Sequence, residues 1–511
     1  MRSPSAESAH RLGELALLTM AFVLPVAFYF RTYDSAAIKF AVMQWGTLTL
    51  LFAWLAQGLA RGRFAAPASS WATLTPALGY GAWMLLRFAL APHKIGALPE
   101  FLPQLTMLIG FLAAFLGFAG ARSAARFALL TVAAGWIVAG YALLQAAGVD
   151  PFIWKGAFGT RAFSTLANPT LCAAFLAVAI PMALTLDLDG ETPVPLRRGA
   201  LVFLPLAAAA AIATRTPLGM VAISTSCLIY AAIVSLSLRT PAALKSAGIA
   251  ALLAAVVGGA AVLHDGHGRD QWSYASQFRK ATAAAELRML AERPLTGFGP
   301  GSFSLHYPRF RPEDVIRLEG KHNTMTQDPE LPVLGVAVEL GAIGAGLWLW
   351  LFGAALWTGA RGAAALRRAG ALSESVYAAG FSAAAAGGLV AGHIGLSGYL
   401  PAPGWYTWPL AGLAAGLAPL AARRAAVSVY PLPVSEDIRR ALYVPSLLVF
   451  AGLAVVPGLW LRSDVDLNIG VYYGKNQEYA KAVESFSRVL PGSPNYTMAL
   501  YFQGNALNEG G

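Results

Sequence analysis

Residues 166–186 read LANPTLCAAFLAVAIPMALTL and contain no charged side chain. A helix needs about 20 predominantly apolar residues to cross the hydrocarbon core of a bilayer, and this stretch has that length. Similar runs recur along the 511-residue chain, which is 57% hydrophobic and only 12% charged. A soluble domain would carry about 25% charged residues. The sequence therefore predicts an all-α, polytopic membrane protein.

Thirteen apolar runs are candidate transmembrane helices. Their approximate limits are 12–30, 36–59, 71–91, 99–120, 125–147, 166–186, 199–214, 217–238, 246–263, 333–357, 375–395, 405–422 and 441–461. Between the seventh and eighth runs, Pro217 favours a tight turn over a kink, because proline cannot continue a helix without strain. Lys39 and Arg87 lie within predicted spans, and we expect each to snorkel toward an interface.

The basic residues of the connecting loops predict the orientation. With a cytoplasmic N-terminus, the cytoplasmic loops hold 17 Lys and Arg residues and the short outer loops hold five. Positive residues accumulate on the cytoplasmic side of membrane proteins, so this bias supports the orientation. The chain then divides into two membrane segments, 1–263 and 333–461, a large outer loop, 264–332, and an outer tail, 462–511.

The net charge of +11 does not indicate nucleic-acid binding. The positive side chains lie in short loops, where they set topology and meet anionic lipid headgroups. A nucleic-acid-binding protein would instead present a basic face with interleaved aromatic residues. The expected partner is the lipid bilayer, and no nucleic acid is expected.

The tail at 462–511 has the spacing of a tetratricopeptide repeat. Gly470 and Gly504 are 34 residues apart, which is the period of that repeat. Further residues fall at its packing positions: Ile469, Tyr473, Tyr479, Ala482, Phe486 and Pro494. Such repeats bury their faces against neighbours, so we expect more repeats beyond Gly511 and a protein partner for this segment. A lone pair of amphipathic helices is the alternative.

Four polar features fall on the outer side in this topology. They are RAFSTLANP at 161–169, Thr214-Arg215, Arg279 and Lys321-His322-Asn323. Arginines brought together there suit a diphosphate, because each guanidinium is permanently charged and can hold phosphate oxygens bidentately. A nearby imidazole could accept the proton of an attacking hydroxyl. Each feature also has a structural alternative, which is an interfacial anchor or ion pair for the arginines and a solvated loop residue for the histidine.

Three other patterns in the large loop carry less weight. His264 and His267 are two possible metal ligands without a third in register, so no metal is expected. The segment GFGPG at 297–301 follows no strand, so a turn after a helix is expected there and not a phosphate loop. On that helix, the seven-residue spacing of Arg279, Glu286 and Arg293 predicts that all three line one edge.

Four segments together resemble the O-antigen ligase and O-antigen polymerase superfamily of bacterial envelope glycosyltransferases. RAFSTLANPT at 161–170 is similar to its R-x-x-G-T-x-x-N-P-N segment, and TRTPLG at 214–219 looks like its T-x-S-R-G segment. Arg279, followed by LRMLAERPLTGFGPGSF at 287–303, matches the segment that opens the large periplasmic loop. VELGAIG at 338–344 matches the start of the next span.

The resemblance implies an enzyme of the bacterial inner membrane that acts at its periplasmic face without a metal or other cofactor. It would transfer glycan from an undecaprenyl diphosphate carrier to a hydroxyl of a lipid core, a growing polymer or a protein. The diphosphate would be held by Arg161, Arg215 and Arg279, with Asn168 and Asn323 in supporting roles. A tetratricopeptide tail is a common companion of this family.

The sequence departs from the family pattern at several positions. Thr170 replaces the second Asn, Ala283 stands where Trp is frequent, and Arg215 is shifted against the usual Thr-Ser order. The family places His-Asn nine residues before its Gly-x-x-Gly pair, where this chain has Glu330 and Leu331. The acceptor-side base is therefore His322, if the loop carries an insertion, or Glu330.

Two further function classes remain alternatives. A transporter of lipid-linked sugars would show inverted repeats with charged residues at mid-membrane in both halves, and no such repeat is visible. A non-catalytic envelope scaffold that presents the tail would tolerate Arg215→Ala, whereas an enzyme of this kind would not. Within the enzyme class, ligase, polymerase and protein O-oligosaccharyltransferase are chemically alike.

Overall fold

The computed structural model describes residues 5–67, 71–118, 120–152, 159–263, 267–319, 329, 331–394, 401–421 and 427–510. Within these residues the chain is helical apart from short turns and one two-stranded ribbon. Eleven of the helices in this part of the chain are long and apolar enough to cross a membrane. The protein is therefore an all-α, multi-pass membrane protein, as the composition predicted.

The helices follow one another along the chain with short connections. Their bounds are α1 (Ala6–Val26), α2 (Ala37–Arg61), α3 (Trp71–Ala89), α4 (Lys94–Gly117), α5 (Ala121–Ala146), α6 (Pro169–Leu188), α7 (Val194–Ala213), α8 (Pro217–Leu238), α9 (Pro241–Leu263), α10 (His267–Glu292), α11 (Phe303–His306), α12 (Glu313–Glu319), α13 (Pro332–Arg368), α14 (Leu372–His393), α15 (Pro403–Leu417), α16 (Glu436–Leu453), α17 (Val455–Lys475), α18 (Tyr479–Ser487) and α19 (Tyr496–Gly510). The strands are β1 (Arg63–Pro67) and β2 (Val427–Pro431).

Twelve of the thirteen predicted spans each correspond to one helix, and the last, 441–461, covers the end of α16 and the start of α17. The two helices together make up one of the eleven candidates, and the number that crosses the membrane stays a prediction. α3 and α15 are not among the eleven candidates. α15 has 15 residues, all buried, and at about 1.5 Å per residue it is shorter than the hydrocarbon core is thick. The turn predicted at Pro217 is confirmed, because α7 ends at Ala213 and α8 begins at Pro217.

Small side chains let the central helices approach one another closely. α6 is buried along nearly its whole length and packs against α5, α7, α8 and α14. On α14, a Cβ at Gly380 would overlap the Thr185 side chain, and one at Gly387 would overlap Ser226. Glycine and alanine at such contacts give dispersion contacts along the whole helix, which is how helices associate in lipid.

The bundle has two distinct ends. β1 and β2 pair antiparallel, from Arg63 opposite Pro431 to Pro67 opposite Val427, and we call their end the ribbon end. The sequence analysis did not predict these two five-residue strands. The opposite end carries α10, α11 and α12, and we call it the loop end.

A break in α13 anchors the large loop to the bundle. Gly341 has φ 71° and ψ −176°, a conformation open to glycine alone, so the helix is interrupted there. The interruption leaves backbone N–H and C=O groups of α13 without partners inside the helix, and the turn after α10 forms hydrogen bonds with them. Phe298 N donates to Val338 O (3.0 Å), Gly299 N to Glu339 O (2.8 Å), and Ala342 N to Pro294 O (2.8 Å). GFGPG is thus a turn, as predicted.

The buried face of α10 includes one acidic residue. Thr282, Ala285, Glu286 and Met289 are fully buried, so Glu286 lies on the packed face. Arg279 is half-buried, and Arg293 is exposed just beyond the last residue of α10. At about 100° per residue a seven-residue step returns to within about 20° of the same face, so Arg279 and Glu286 lie on one edge. Arg293 follows the end of the helix, and the edge passes from half-buried at Arg279 to buried at Glu286.

The tail packs on itself and on the first helical hairpin. Leu467, Ala482, Phe486 and Ala499 from α17, α18 and α19 form one small core. Asp464 Oδ2 accepts a hydrogen bond from Tyr33 N (2.7 Å), and its Oδ1 accepts one from Asn495 Nδ2 (2.8 Å). Asn468 Nδ2 donates to Arg31 O (3.0 Å). The tetratricopeptide assignment of this segment stays a prediction.

Candidate functional site

Arg161 and Arg215 meet across the turn between α7 and α8. Ala162 N donates to Ala213 O (3.0 Å), which fixes the segment before α6 against the end of α7. Arg161 Nε donates to Thr214 O (3.3 Å), and its Nη2 donates to Thr216 Oγ1 (2.9 Å). In return, Arg215 Nη1 donates to Thr160 Oγ1. The two arginines predicted to share a site are thus joined reciprocally.

The backbone of Arg215 is in an uncommon conformation. Its φ is 47°, in the left-handed region, which costs a residue with a side chain about 1 kcal/mol. The following residues, Thr216 and Pro217, begin α8 with proline at the first helical turn. This tight connection leaves the Arg215 side chain exposed at the loop end while its backbone stays fixed. Strain of this kind persists where the surrounding structure enforces it.

Asn168 caps α6. Its Oδ1 accepts a hydrogen bond from Thr170 N (2.8 Å), and Pro169 follows as the first helical residue. A side-chain oxygen at this position satisfies a backbone donor that the helix leaves open. Asn168 thus has a structural role at the helix start, and its supporting role at the diphosphate site stays a prediction. Its side chain is half-buried.

Lys39 binds the same segment, the residues just before α6, from the start of α2. It is 2% exposed, and its Nζ donates to the carbonyl oxygens of Ala27 and Thr165. The snorkelling expected for Lys39 is wrong, because the α1–α2 connection and the segment before α6 close over it. Arg87 likewise binds protein carbonyls, with Nε to Thr296 O (2.9 Å). Sequence reasoning missed both contacts, since the accepting carbonyls lie far away along the chain.

Arg279 docks on the end of α14. Its Nη1 donates to Ile394 O (2.7 Å) and its Nη2 to His393 O (2.8 Å). These are the last carbonyls of α14, where a cation complements the helix dipole. α10 also contacts α8 and α13. Arg279 is therefore fixed against the membrane helices and does not extend freely from the loop.

The docking point of Arg279 and the turn of Arg215 lie at the same end of the bundle. α14 runs antiparallel to α8, with Gly387 against Ser226. At 1.5 Å per residue, the last residue of α14, His393, lies about 9 Å from that contact, and the first residue of α8 lies about 13 Å from it in the same direction. The C-terminus of α14 and the N-terminus of α8 are therefore both at the loop end. The structure brings Arg161, Arg215 and Arg279 to this end.

The charge of Arg161 and Arg215 is not neutralised within the described part of the chain. Neither forms an ion pair with a carboxylate there, and both are held by threonine oxygens. α6 and α8 also begin at this end, and helix N-termini favour anions. Burial lowers the pKa of the Arg161 guanidinium, which shows that its positive charge is costly there. A bound anion would offset that cost.

His393 is close to the site, and the sequence analysis did not single it out. Its Nδ1 lies 2.7 Å from Leu389 O, and its Nε2 accepts from Val333 N (3.4 Å). Both ring nitrogens are engaged when the proton is on Nδ1, so the imidazole joins α14 to the start of α13. This makes it a positioning residue beneath Arg279. A single histidine at the end of an apolar run gave no signal for that role.

An apolar cavity opens beside this joint. Its lining comes from α3, α4, α13, α14 and α15. The residues are Tyr80, Gln104, Met107, Pro332, Val336, Trp348, Gly388, Leu389, Gly392, Gly404, Thr407 and Trp408. Gly392 immediately precedes His393, whose carbonyl binds Arg279. The cavity therefore reaches the residue before His393 and is lined mainly by aromatic and aliphatic side chains.

The acceptor-side residues lie outside the described residues. These are His322, Asn323 and Glu330, so the choice between His322 and Glu330 stays a prediction. The comparisons with known proteins add no identification. No family model matches the chain, and no curated protein shows significant similarity to it.

Proposed function

We propose that this protein is a membrane glycosyltransferase of the O-antigen ligase type. It transfers glycan from an undecaprenyl diphosphate carrier to an acceptor hydroxyl at the periplasmic face of a bacterial inner membrane. One observation carries the proposal. Arg161 binds the hydroxyl of Thr216 and Arg215 binds that of Thr160, so each is held by a residue beside the other, and neither has a carboxylate partner in the described part of the chain. Such a pair suits the two phosphates of a lipid diphosphate.

The chemistry follows from the arginines and one base. The acceptor oxygen attacks the anomeric carbon of the glycan, and its proton passes to His322 or Glu330. The bond from that carbon to the diphosphate oxygen breaks, and undecaprenyl diphosphate leaves with the bonding electron pair. Arg161, Arg215 and Arg279 stabilise the charge that develops on the leaving group. Because the leaving group is already activated, positioning and charge stabilisation supply most of the catalysis.

The apolar cavity supports a lipid-linked donor. A polyprenyl diphosphate has a doubly charged head and a long hydrocarbon chain, so its site needs cations beside an apolar space. The cavity lined in part by Pro332 and Gly392 is an apolar space one residue away along α14 from the His393 carbonyl that binds Arg279. We propose that the hydrocarbon chain of the carrier enters the bundle at this wall.

Transfer by the purified protein tests the proposal directly. The protein in detergent is given a synthetic undecaprenyl diphosphate glycan and candidate acceptors, and release of undecaprenyl diphosphate is measured. We expect release that depends on the acceptor and is lost in His322→Ala. Full activity of His322→Ala together with an inactive Glu330→Gln assigns the base to Glu330. Absence of transfer with every acceptor class, from a protein that remains folded, refutes the proposal.

Deletion of the gene distinguishes the members of the superfamily. Accumulation of single glycan units on the lipid carrier indicates a polymerase, and long unattached polymer indicates a ligase. Loss of glycan from envelope proteins indicates a protein O-oligosaccharyltransferase. An unchanged glycan profile favours a scaffold, and complementation with Arg215→Ala separates the two classes, because a scaffold needs no charge at that position.

A further inference from the structure

A second group of positive side chains lies at the loop end, on the turn that follows α10. The Phe298 ring is its centre. The Arg293 guanidinium carbon lies 5.0 Å from the centroid of that ring, and the His306 imidazole centroid lies 4.7 Å from it. The His93 imidazole, from the α3–α4 connection, is 6.5 Å from that of His306. We call Arg87, His93, Arg293 and His306 the Phe298 cluster.

Arg87 completes the cluster from the end of α3. Its Nε donates to Thr296 O (2.9 Å) and its Nη2 to Gly297 O (3.1 Å), so the guanidinium is fixed at the base of the turn. The contact also ties the turn to a membrane helix. The cluster therefore does not depend on a freely moving loop, and its four groups have a defined arrangement.

The cluster has an excess of positive charge. Glu292 is the acidic group that faces His306, and Arg309 occupies it with an ion pair of 3.0 Å. In the described part of the chain, no hydrogen bond or ion pair engages the side chains of Arg293, His93 or His306. Burial, with Arg293 and His93 nearby, lowers the pKa of His306. Two guanidiniums beside an imidazole that burial and these charges keep neutral form a site where a bound anion would restore the proton to the imidazole.

We propose that the Phe298 cluster binds the phosphate group of a phosphate ester at the membrane surface. Arg293 would hold two phosphate oxygens, and the two imidazoles would each donate one hydrogen bond when protonated. Arg279 and Arg293 are 14 residues apart, about 20 Å along a helix, so this site is separate from the point where Arg279 docks on α14. It goes beyond the proposed glycosyl transfer and does not depend on it. The phosphate comes from a lipid headgroup or from a soluble phosphate.

The titration of His306 measures occupancy of the cluster. The full-length protein is labelled at histidine carbon and studied by NMR in a maltoside detergent, which contains no phosphate. The His306 signal is assigned by its absence in His306→Gln. One sample receives phosphatidylglycerol and another receives inorganic phosphate at matched ionic strength. We expect the midpoint of the His306 titration to rise by about one pH unit in at least one sample, because a bound anion favours the imidazolium.

Two variants decide the interpretation. Arg293→Gln should abolish the rise, and Arg317→Gln, which removes an equal charge from an exposed pair with Glu313, should retain it. A rise with phosphatidylglycerol alone identifies a lipid headgroup, and a rise with inorganic phosphate identifies a soluble source. No rise with either ligand, or an equal rise in wild type and Arg293→Gln, overturns the proposal.

Discussion

Two arginines at the ribbon end of the helix bundle and two at the loop end have different kinds of partner. At the ribbon end, Arg126 pairs with Glu14 (3.1 Å), and Arg197 lies 3.9 Å from Asp187 while also donating to its backbone carbonyl. These arginines are neutralised by the protein itself. Their role is structural, because they bind acidic side chains and a backbone carbonyl near the ends of helices.

At the loop end, Arg161 and Arg215 are held by threonine oxygens. A hydroxyl or carbonyl fixes a guanidinium without cancelling its charge. The side chain is therefore held in place while its positive charge can still attract an anionic ligand. The difference indicates which arginines can serve a ligand. Arginine number alone favoured the ribbon end, where the positive-inside bias concentrates these residues.

Removal of one arginine from each end of α8 is the most direct test of this comparison. Arg215 precedes α8 with φ 47°, and Arg239 follows it with φ 49°, so the two share a helix and a backbone conformation. We expect Arg215→Ala to lower glycan transfer by about 10³-fold, the size of effect seen when a charge-stabilising donor is lost. Arg239→Ala should leave transfer nearly unchanged. Equal losses would remove the distinction between the ends.

A second pair of variants compares glycines with positive φ at the two ends. At Gly341 (φ 71°) a Cβ would overlap the carbonyl of Leu295, which is backbone, whereas at Gly62 (φ 67°) it would meet the flexible side chain of Arg439. We expect Gly341→Ala to reduce the free energy of unfolding by about 3 kcal/mol and Gly62→Ala by about 1 kcal/mol. Unfolding in mixed micelles, followed by tryptophan fluorescence, measures both. A smaller loss at Gly341 would contradict the rigid anchoring of the turn.

The capping role of Asn168 gives a smaller effect. Asn168→Ala should cost about 1 kcal/mol of stability, while Asn168→Ser keeps a side-chain oxygen and should cost little. Ser435, which caps α16 at the ribbon end through a longer 3.4 Å contact with Ile438 N, is the matched control. Thermal unfolding and glycan transfer are measured for each variant. If Asn168→Ser loses transfer as fully as Asn168→Ala does, the amide acts on the substrate and not only as a cap.

The smallest expected effect is a decrease in the free energy of unfolding at acidic pH, caused by protonation of His306 at the loop end. Burial, with Arg293 and His93 nearby, lowers the pKa of His306, so the folded protein binds this proton more weakly than the unfolded chain. The contribution of neutral His306 is complete above about pH 6.5 and is lost as the pH falls toward the folded pKa. His306→Gln should flatten this part of the profile, and Arg293→Gln should flatten it partly. An unchanged acid slope in His306→Gln would assign it to other groups.

The sequence predicted the helices well because the length and apolar composition of each run are enough to identify it. The apolar run at 166–186 and the helix at 169–188 nearly coincide, and no other part of the chain is needed to recognise it. The ribbon of β1 and β2 escaped notice for the opposite reason. Each strand has only five residues, and its partner lies hundreds of residues away. A short strand has no periodic signal strong enough to identify it alone.

Charged residues inside the bundle were the harder problem. The sequence places Lys39 near a helix end, but only the fold shows that the carbonyls of Ala27 and Thr165 enclose it. For Arg161 and Arg215, the predicted topology placed both residues on the same side of the membrane. Their reciprocal contact depends on the left-handed backbone at Arg215, which a spacing argument cannot supply. For Glu286, the seven-residue repeat predicted its edge but not its burial, which depends on what packs against the helix.

The contact of Asp464 with the first hairpin has a consequence for how the protein is assembled. Its carboxylate binds Tyr33 N across a sequence separation of 431 residues, and it also holds Asn495 of the tail. Contacts of such long range form last during synthesis, after every intervening helix has entered the membrane. Until then, the backbone amides of the first hairpin lack their acceptor. A chain that stopped before Asp464 would therefore leave the first hairpin without the carboxylate that binds Tyr33 N in the folded protein.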